Sequence, residues 1–394
     1  MATETPKAEP FRPAQSCPLD GLRVLDFSRL VAGNMLTLQL ADFGAEVIKL
    51  EPDMGDPLRH WRENGVSAYW KVYGRNKKSV RLDLRSDEGK ALLARLIPTA
   101  HVLVESFRPG SMEAAGFGPD AVAGLNPKLV FVRISGFGQT GPYAQRPGFG
   151  SLVEAMSGFA SKNGFADKPP ALPNFALADM VAGIQGAFAV MVAVRAAERP
   201  EGKGQVVDLS LLEPLHSTLG PEAAAWRITG SIPPRSGNRA SITAPRNIYA
   251  TADGGWVALS ASTQAMTERL FRAIGRADML DDPRFRTNSD RLAHVDEVDA
   301  VVGAFIGAKT LAENLGFFGA AEVTVGPVYD ASGFETDPHV RGRGVLVEME
   351  DAELGSVPMH AVVPRLSGTP GALRRPAPDL GADETEILGP LRAG

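Results

Sequence analysis

Sulfur chemistry is almost absent from this chain: of its 394 residues, Cys17 is the one cysteine. A single thiol closes no intramolecular disulfide and builds no thiolate zinc or iron–sulfur cluster, which fits a reducing compartment. Histidine is scarce too. The six, at 60, 101, 216, 294, 339 and 360, show neither HExxH nor another close pairing, so no metal site is expected. There is no basic excess: 41 Lys and Arg stand against 46 Asp and Glu, a formal charge of −5, and no field exists to hold a nucleic-acid backbone. Long apolar runs are also missing. The most apolar segment, Met180 to Ala197, is interrupted by Gln185 and two glycines and falls short of the roughly 20 apolar residues that cross a bilayer. Residues 1–21 carry early acids and three prolines before Cys17 in place of the apolar centre of a secretion signal. They read as a flexible arm, and the protein is expected in the cytoplasm, away from membranes.

What is present is the composition of a folded protein, 44% hydrophobic and 22% charged, in a chain long enough for about two domains of roughly 150 residues. Short apolar runs at Gly21–Phe27 and Ala45–Leu50 flank a segment of helical spacing, Leu30–Phe43. The alternation continues with a strand near Ser79–Leu84, a helix over Glu88–Leu96, a strand at His101–Glu105, a helix after Asp120 and a strand at Leu129–Ile134. Strands alternating with helices predict a mostly parallel sheet covered on both faces. A long helix over 179–198, a strand at Gln205–Leu209 and a helix over Ser210–Arg227 follow. The Gly, Pro, Ser and Arg of 229–247 then mark a boundary. Beyond it come a hairpin around Asp253-Gly254-Gly255, helices near 264–275 and 295–316, and a polar tail rich in Pro and Gly. No internal repeat or heptad run is present.

Four motifs carry chemistry, each with a plainer alternative. GFGQTG at 136–141 has the spacing of a dinucleotide loop, but Pro142 and Pro147 flank a stretch with no helical period, whereas that loop must open a helix onto the pyrophosphate. It reads as a turn or a glycine-rich wall for another ligand. Lys71, Arg75, Lys77, Lys78 and Arg81 crowd around a turn at Gly74 and Asn76, a phosphate-binding loop or simply a solvated face. Arg108, in ESFRPG just after a strand, belongs to a second loop of that kind. Asp179 falls where an irregular segment gives way to the long apolar helix. As an N-cap it would be held ionised by amides and the helix dipole, and the same ionised carboxylate in apolar surroundings is a nucleophile for acyl transfer.

Taken in order, PLDGLRVLDFSRLVAG (18–33), LADFGAEVIKLEPDMGDPLR (40–59), YGRNKKSVRLDL (73–84), LVESFRPGSMEAAG (103–116), ISGFGQTGPYAQRPG (134–148), ALADMVAG (176–183) and APRNIYATADGGWVALS (244–260) resemble the family III CoA-transferases, over residues 18 to 390. The resemblance implies an α/β chain with a Rossmann-like large domain (1–220 and 326–394) and a smaller α+β domain (225–325). It also implies an interlocked, ring-like homodimer with active sites between subunits. CoA thioesters would be substrates, with no tightly bound cofactor. Asp179 matches the family's catalytic aspartate, which takes the acyl group as a mixed anhydride and then CoA as an aspartyl thioester. By position Arg29, Arg75, Lys77, Lys78, Phe107 and Arg108 become candidate CoA contacts. Gly136 and Gly138 join these candidate CoA contacts, and the glycine-rich backbone of Gly136–Gly141, or the 236–241 loop, becomes the candidate source of amide donors to the oxyanions.

Departures refine this. Ser106 stands where many members have asparagine, Asn34 where they have proline, and GNRAS at 237–241 lacks the glycine run of formyl-CoA transferase, against oxalate and formyl-CoA as the pair. The stretch PGFGSLVEAMSGFASKNG is similar to enzymes handling succinyl, malyl, mesaconyl or itaconyl groups. The racemases of the same family carry a histidine where this chain has Phe149, so racemisation, or CoA movement within one thioester, is the second reading.

Overall fold

In the computed structural model, which describes residues 8–392, β1 (Arg23–Asp26), β2 (Glu46–Glu51), β3 (Lys77–Arg81), β4 (Val102–Glu105), β5 (Val130–Ser135) and β6 (Val206–Ser210) form one sheet. Their order is β3-β2-β1-β4-β5-β6, and every pairing is parallel. This is the strand order of doubly wound dinucleotide folds. Successive side chains of a strand point to opposite faces, so the apolar runs divide. Val24, Val47, Val102, Val130 and Val132 pack beneath the helices Ala32–Ala41 and Leu177–Ala197. Leu25, Ile48, Leu103 and Phe131 face a second layer with Leu92, Leu93 and Leu96 of the helix Asp87–Leu96, joined by Leu388.

The helix Leu177–Ala197 has 21 residues and by length and composition alone would pass for a membrane span. Gly183 and Gly186 break its apolar run without breaking the helix, which matches the long helix expected over 179–198. A β-carbon on Gly183 would lie 2.7 Å from Met35 Cβ and 2.8 Å from the Ala32 carbonyl oxygen. The glycine lets two helices touch, and Ala178, Ala182, Gly186, Val190 and Val194 are buried along the same contact.

By contact density the chain separates into two units, 1–159 with 172–220 and 339–394, and 160–171 with 221–338. The second is the α+β unit: β7 (Arg246–Ala250), β8 (Trp256–Ser260) and β9 (Val325–Pro327) pair antiparallel. Helices Gln264–Ala273, Val295–Gly307 and Leu311–Ala320 close its core around Phe271, Val302 and Phe318. The expected boundary at 325–326 is corrected, because it cuts β9, whose register with β8 keeps Val325–Pro327 in this unit. Two long helices read from the sequence are each two. Gly220, at φ +83°, and Pro221 divide Leu212–Ser217 from Glu222–Thr229. Thr310 and Glu313 form a capping box that restarts a helix at Leu311.

The expected N-terminal arm is tied down over its described part. The Glu9 amide bonds the Glu348 carbonyl at 2.7 Å, beside a hairpin of β10 (Leu346–Asp351) and β11 (Gly355–His360), and the Arg12 amide bonds the Leu373 carbonyl at 2.8 Å. Residues 1–7 lie outside the described range.

Candidate active site

In an open parallel sheet, ligands bind beyond the carboxyl ends of the strands where the strand order reverses, here between β1 and β4. The two loops leaving those strands are stitched together, since Ser106 Oγ accepts the Arg29 amide at 2.9 Å. Leu30 sits at φ +61°, a strained conformation for a leucine, with its amide held by Asp56 Oδ1 at 3.0 Å. Over these loops opens a cavity of about 440 Å³ whose wall includes Arg29, Phe107, Arg108, Gly136, Arg146, Phe149 and Asp179.

Asp179 is not the N-cap. That position is Ala176, which offers no side-chain bond, and Asp179 is the third helical residue. Burial pushes its carboxyl up to about 6. A hydrogen bond from the Ala32 backbone opposes this, and the charge of Glu154 adds to it. Glu154, from the short helix Gly150–Met156, is 2% exposed. It supplies the cap that Ala176 cannot, accepting the Ala178 amide at 3.1 Å. Gly150 opens the space in front: a β-carbon there would stand 2.3 Å from Asp179 Oδ2 and 3.8 Å from Glu154 Oε1. Sequence reasoning missed Glu154, Gly150 and Arg146. A lone acid inside the apolar run SLVEAMSG was the signal for the first.

Of the expected CoA contacts, Arg29, Phe107 and Arg108 come together at this cavity. Arg29 lies 5.7 Å over the Phe107 ring, and Arg108 Nη2 donates to the Gln145 carbonyl at 2.9 Å. The basic loop does not join them, which corrects the expectation for Arg75, Lys77 and Lys78. Arg75 is fully buried, paired with Asp42 at 2.6 Å and bonded to the His360 carbonyl at 2.8 Å. Lys77, at the start of β3, is fully buried as well, donating to both the carbonyl and the side-chain oxygen of Asn34 at 3.0 Å. Burial drives its amine down to about 7, Lys49 assisting and Asp26, Asp56 and Glu51 opposing. Lys78 is held by Glu46 at 2.9 Å and by Glu386. Asn34 also donates to Asp56 Oδ2 at 2.8 Å, so the residue that departs from the family's proline is the hub of a buried polar network a proline could not serve.

The glycine-rich motif is spent in part on its own turn. Gly136 lines the cavity, whereas the Gly138 amide donates to Ser135 Oγ at 3.0 Å and the Gln139 amide to Asp208 at 3.0 Å. Gly138 therefore has no free amide for an oxyanion, a second correction. No helix opens between β5 and Gly150, so the dinucleotide arrangement is absent there. In the second unit, the 236–241 loop is anchored by Arg239 to Asp299 at 2.6 Å. Among the described residues no group of His, Cys, Asp and Glu could hold a metal ion.

The model of the CoA-transferase family III matches residues 19–384 of the chain. The protein is a family III CoA-transferase. It is 40% identical over 378 residues to the succinyl-CoA–D-citramalate CoA-transferase of Chloroflexus aurantiacus, covering 95% of this chain and 94% of that relative. It is 35% identical over 390 residues to the succinate–glutarate CoA-transferase of Agrobacterium fabrum, covering 96% and 97%. Among solved structures, a CAIB/BAIF family protein from Brucella suis superimposes with a TM-score of 0.84 at 29% identity, over 96% of this chain and all of that one. A family III CoA-transferase works on CoA thioesters, and the cavity beside Asp179 is where the arginines expected to meet one are found.

Proposed function

We propose that this transferase moves CoA from a succinyl-type acyl-CoA donor to a small dicarboxylic acid, through covalent intermediates on Asp179. The observation that carries the reading is the Asp179 carboxylate on a cavity wall shared with Arg29, Arg108 and Arg146. The carboxylate attacks the thioester carbonyl and expels CoA thiolate, leaving a mixed anhydride. The thiolate attacks the aspartyl carbonyl and expels the donor carboxylate, leaving an aspartyl-CoA thioester. The acceptor carboxylate attacks that thioester, and the released thiolate takes the acceptor acyl group, returning Asp179. The arginines favour anionic substrates at each stage. A second cavity of about 430 Å³, walled by Phe27, Leu50, Met54, Leu82 and Arg85, also includes Arg29 and Phe107, and we assign the nucleotide end of CoA to it. The relatives whose names specify succinyl-CoA, D-citramalate, succinate and glutarate support the substrate class.

The test is a screen of succinyl-CoA against mono- and dicarboxylates, with the CoA products weighed by mass spectrometry. New dicarboxyl-CoA thioesters are expected; hydrolysis alone, or transfer confined to monocarboxylates, rejects the substrate class. The racemase reading is disfavoured because Phe149, not a histidine, lines the cavity, and His216 instead has Nδ1 2.9 Å from the Ser157 carbonyl. Enzyme-dependent α-deuteration of a 2-methylacyl-CoA in D₂O would restore it.

The homodimer belongs to the same proposal. Ile184, Phe188 and Val192 are 55%, 69% and 54% exposed at four-residue spacing, one apolar stripe along the helix that carries Asp179. Stripes of this kind mark subunit contacts. Light scattering should give twice the chain mass; a folded monomer at micromolar concentration refutes the interlocked dimer. A cytoplasmic setting agrees with the buried, solitary Cys17.

A further inference from the structure

We propose that Glu154 is a positioning residue for CoA transfer, a buried carboxylate that ties down the first turn of the helix Leu177–Ala197 and faces Asp179 with a like charge. The inference rests on the reading of Asp179 as the nucleophile.

The first amides of a helix lack partners within it, and a neutral side-chain oxygen is enough to accept one. Here Ala176 offers none, and the Ala178 amide is bonded from outside by Glu154 Oε1 at 3.1 Å. A carboxylate in that place is a costly way to cap, because burying a charge is expensive when an uncharged acceptor would serve. Its charge has a target. Glu154 Oε1 and Asp179 Oδ2 lie within 3.8 Å and 2.3 Å of one point, the β-carbon that Gly150 does not have. The other groups around Asp179 work in different directions. The Ala32 amide, at the start of the neighbouring helix, favours the ionised form. Arg29, Arg108 and Arg146 stand along the cavity from the loops after β1, β4 and β5. Leu211, after β6, is apolar. Glu154 is the like charge in that set.

A like charge makes Asp179 more basic, and basicity matters twice. A more basic carboxylate is the stronger nucleophile toward the thioester. It is also the poorer leaving group from the anhydride. When CoA thiolate attacks the anhydride, expelling Asp179 returns the starting thioester, and expelling the donor acid makes the aspartyl-CoA. Raising the basicity of Asp179 above that of an ordinary dicarboxylate turns this partition forward. Glu154 thereby acts on the chemistry without touching substrate.

Exchange of labelled succinate into succinyl-CoA isolates this half of the cycle and requires no knowledge of the acceptor. Glu154→Gln keeps an oxygen for the Ala178 amide and removes the charge. It should fold, keep KM, lose about tenfold or more in kcat, and move the acid limb of the kcat/KM profile to lower pH by about half a unit or more. Wild-type kcat with an unmoved limb overturns the proposal and leaves Glu154 as a helix cap. Should E154Q not fold, Glu154→Asp retains the charge and must keep the limb where the wild type has it; a displaced limb in E154D overturns the proposal as well. Asp179→Asn separates the two levels of inference. An inactive D179N with an unmoved E154Q limb removes the role of Glu154 and spares the nucleophile, whereas an active D179N removes both.

Discussion

Asp179→Asn should abolish CoA transfer while making the protein harder to melt at alkaline pH. Asparagine has nearly the shape of aspartate but cannot attack a thioester and release a stable acyl intermediate, and losses of about 10⁴-fold or more are ordinary when a nucleophile is removed. The stability effect follows from where the carboxylate sits. Its pKa is raised from 3.8 to about 6, chiefly by burial, so the folded chain holds that proton more tightly than the unfolded chain does. The stabilisation this brings is complete below the unfolded value and is lost as pH rises through the folded one. Above that window the ionised group costs up to about 3 kcal/mol, an upper limit because the side chain is only partly buried. D179N should therefore melt a few degrees above the wild type at pH 8 and near it at pH 4. Hydroxylamine trapping of enzyme incubated with acyl-CoA should mark Asp179 in the wild type alone. Substantial turnover by D179N, or an identical difference in melting at both pH values, would refute this account.

Most of the sheet was legible in the sequence because its strands are short apolar runs set off by turns and helical spacing, and such patterns are local; β3, with three cations among its five residues, is the exception. GLRVLDF, AEVIKL and HVLVE predict β1, β2 and β4 with boundaries off by a residue or two. Asp179 was legible for another reason, a motif in register with six others. The fates of the basic residues were not legible. Charge density at Arg75, Lys77 and Lys78 implied solvent, and the partners that bury two of them are Asp42 and Asn34, more than thirty residues away and separated by a whole crossover. Nothing in a run of lysines tells a solvated face from the edge of a buried polar network. Glu154 was hidden in the opposite way, as a lone acid in an apolar run that names no partner. Its meaning appears only once folding brings the start of another helix, with its unpartnered Ala178 amide, against it.

Gly150→Ala should cost CoA transfer about a hundredfold while leaving the fold nearly untouched. Gly150 opens the helix Gly150–Met156 and has no positive φ, so its backbone accepts alanine, and the added helix propensity offsets small losses. The new β-carbon meets one thing below contact distance, Asp179 Oδ2 at 2.3 Å. To regain contact the carboxylate must withdraw by about an ångström, and a reacting group displaced that far loses about 10²-fold in rate. The loss should fall on kcat, with CoA still binding at its usual strength by calorimetry, because Arg29, Phe107 and the second cavity lie elsewhere on the wall. Gly183→Ala is the informative control. Its β-carbon would press on Met35 and the Ala32 carbonyl in a packed helix contact, so it should lower the melting temperature through overpacking of about 1–3 kcal/mol. If G150A turns over at the wild-type rate, Asp179 is either free to move or not the group that reacts. If G150A and G183A lose stability alike and activity in proportion, the glycine at 150 serves packing and not the nucleophile.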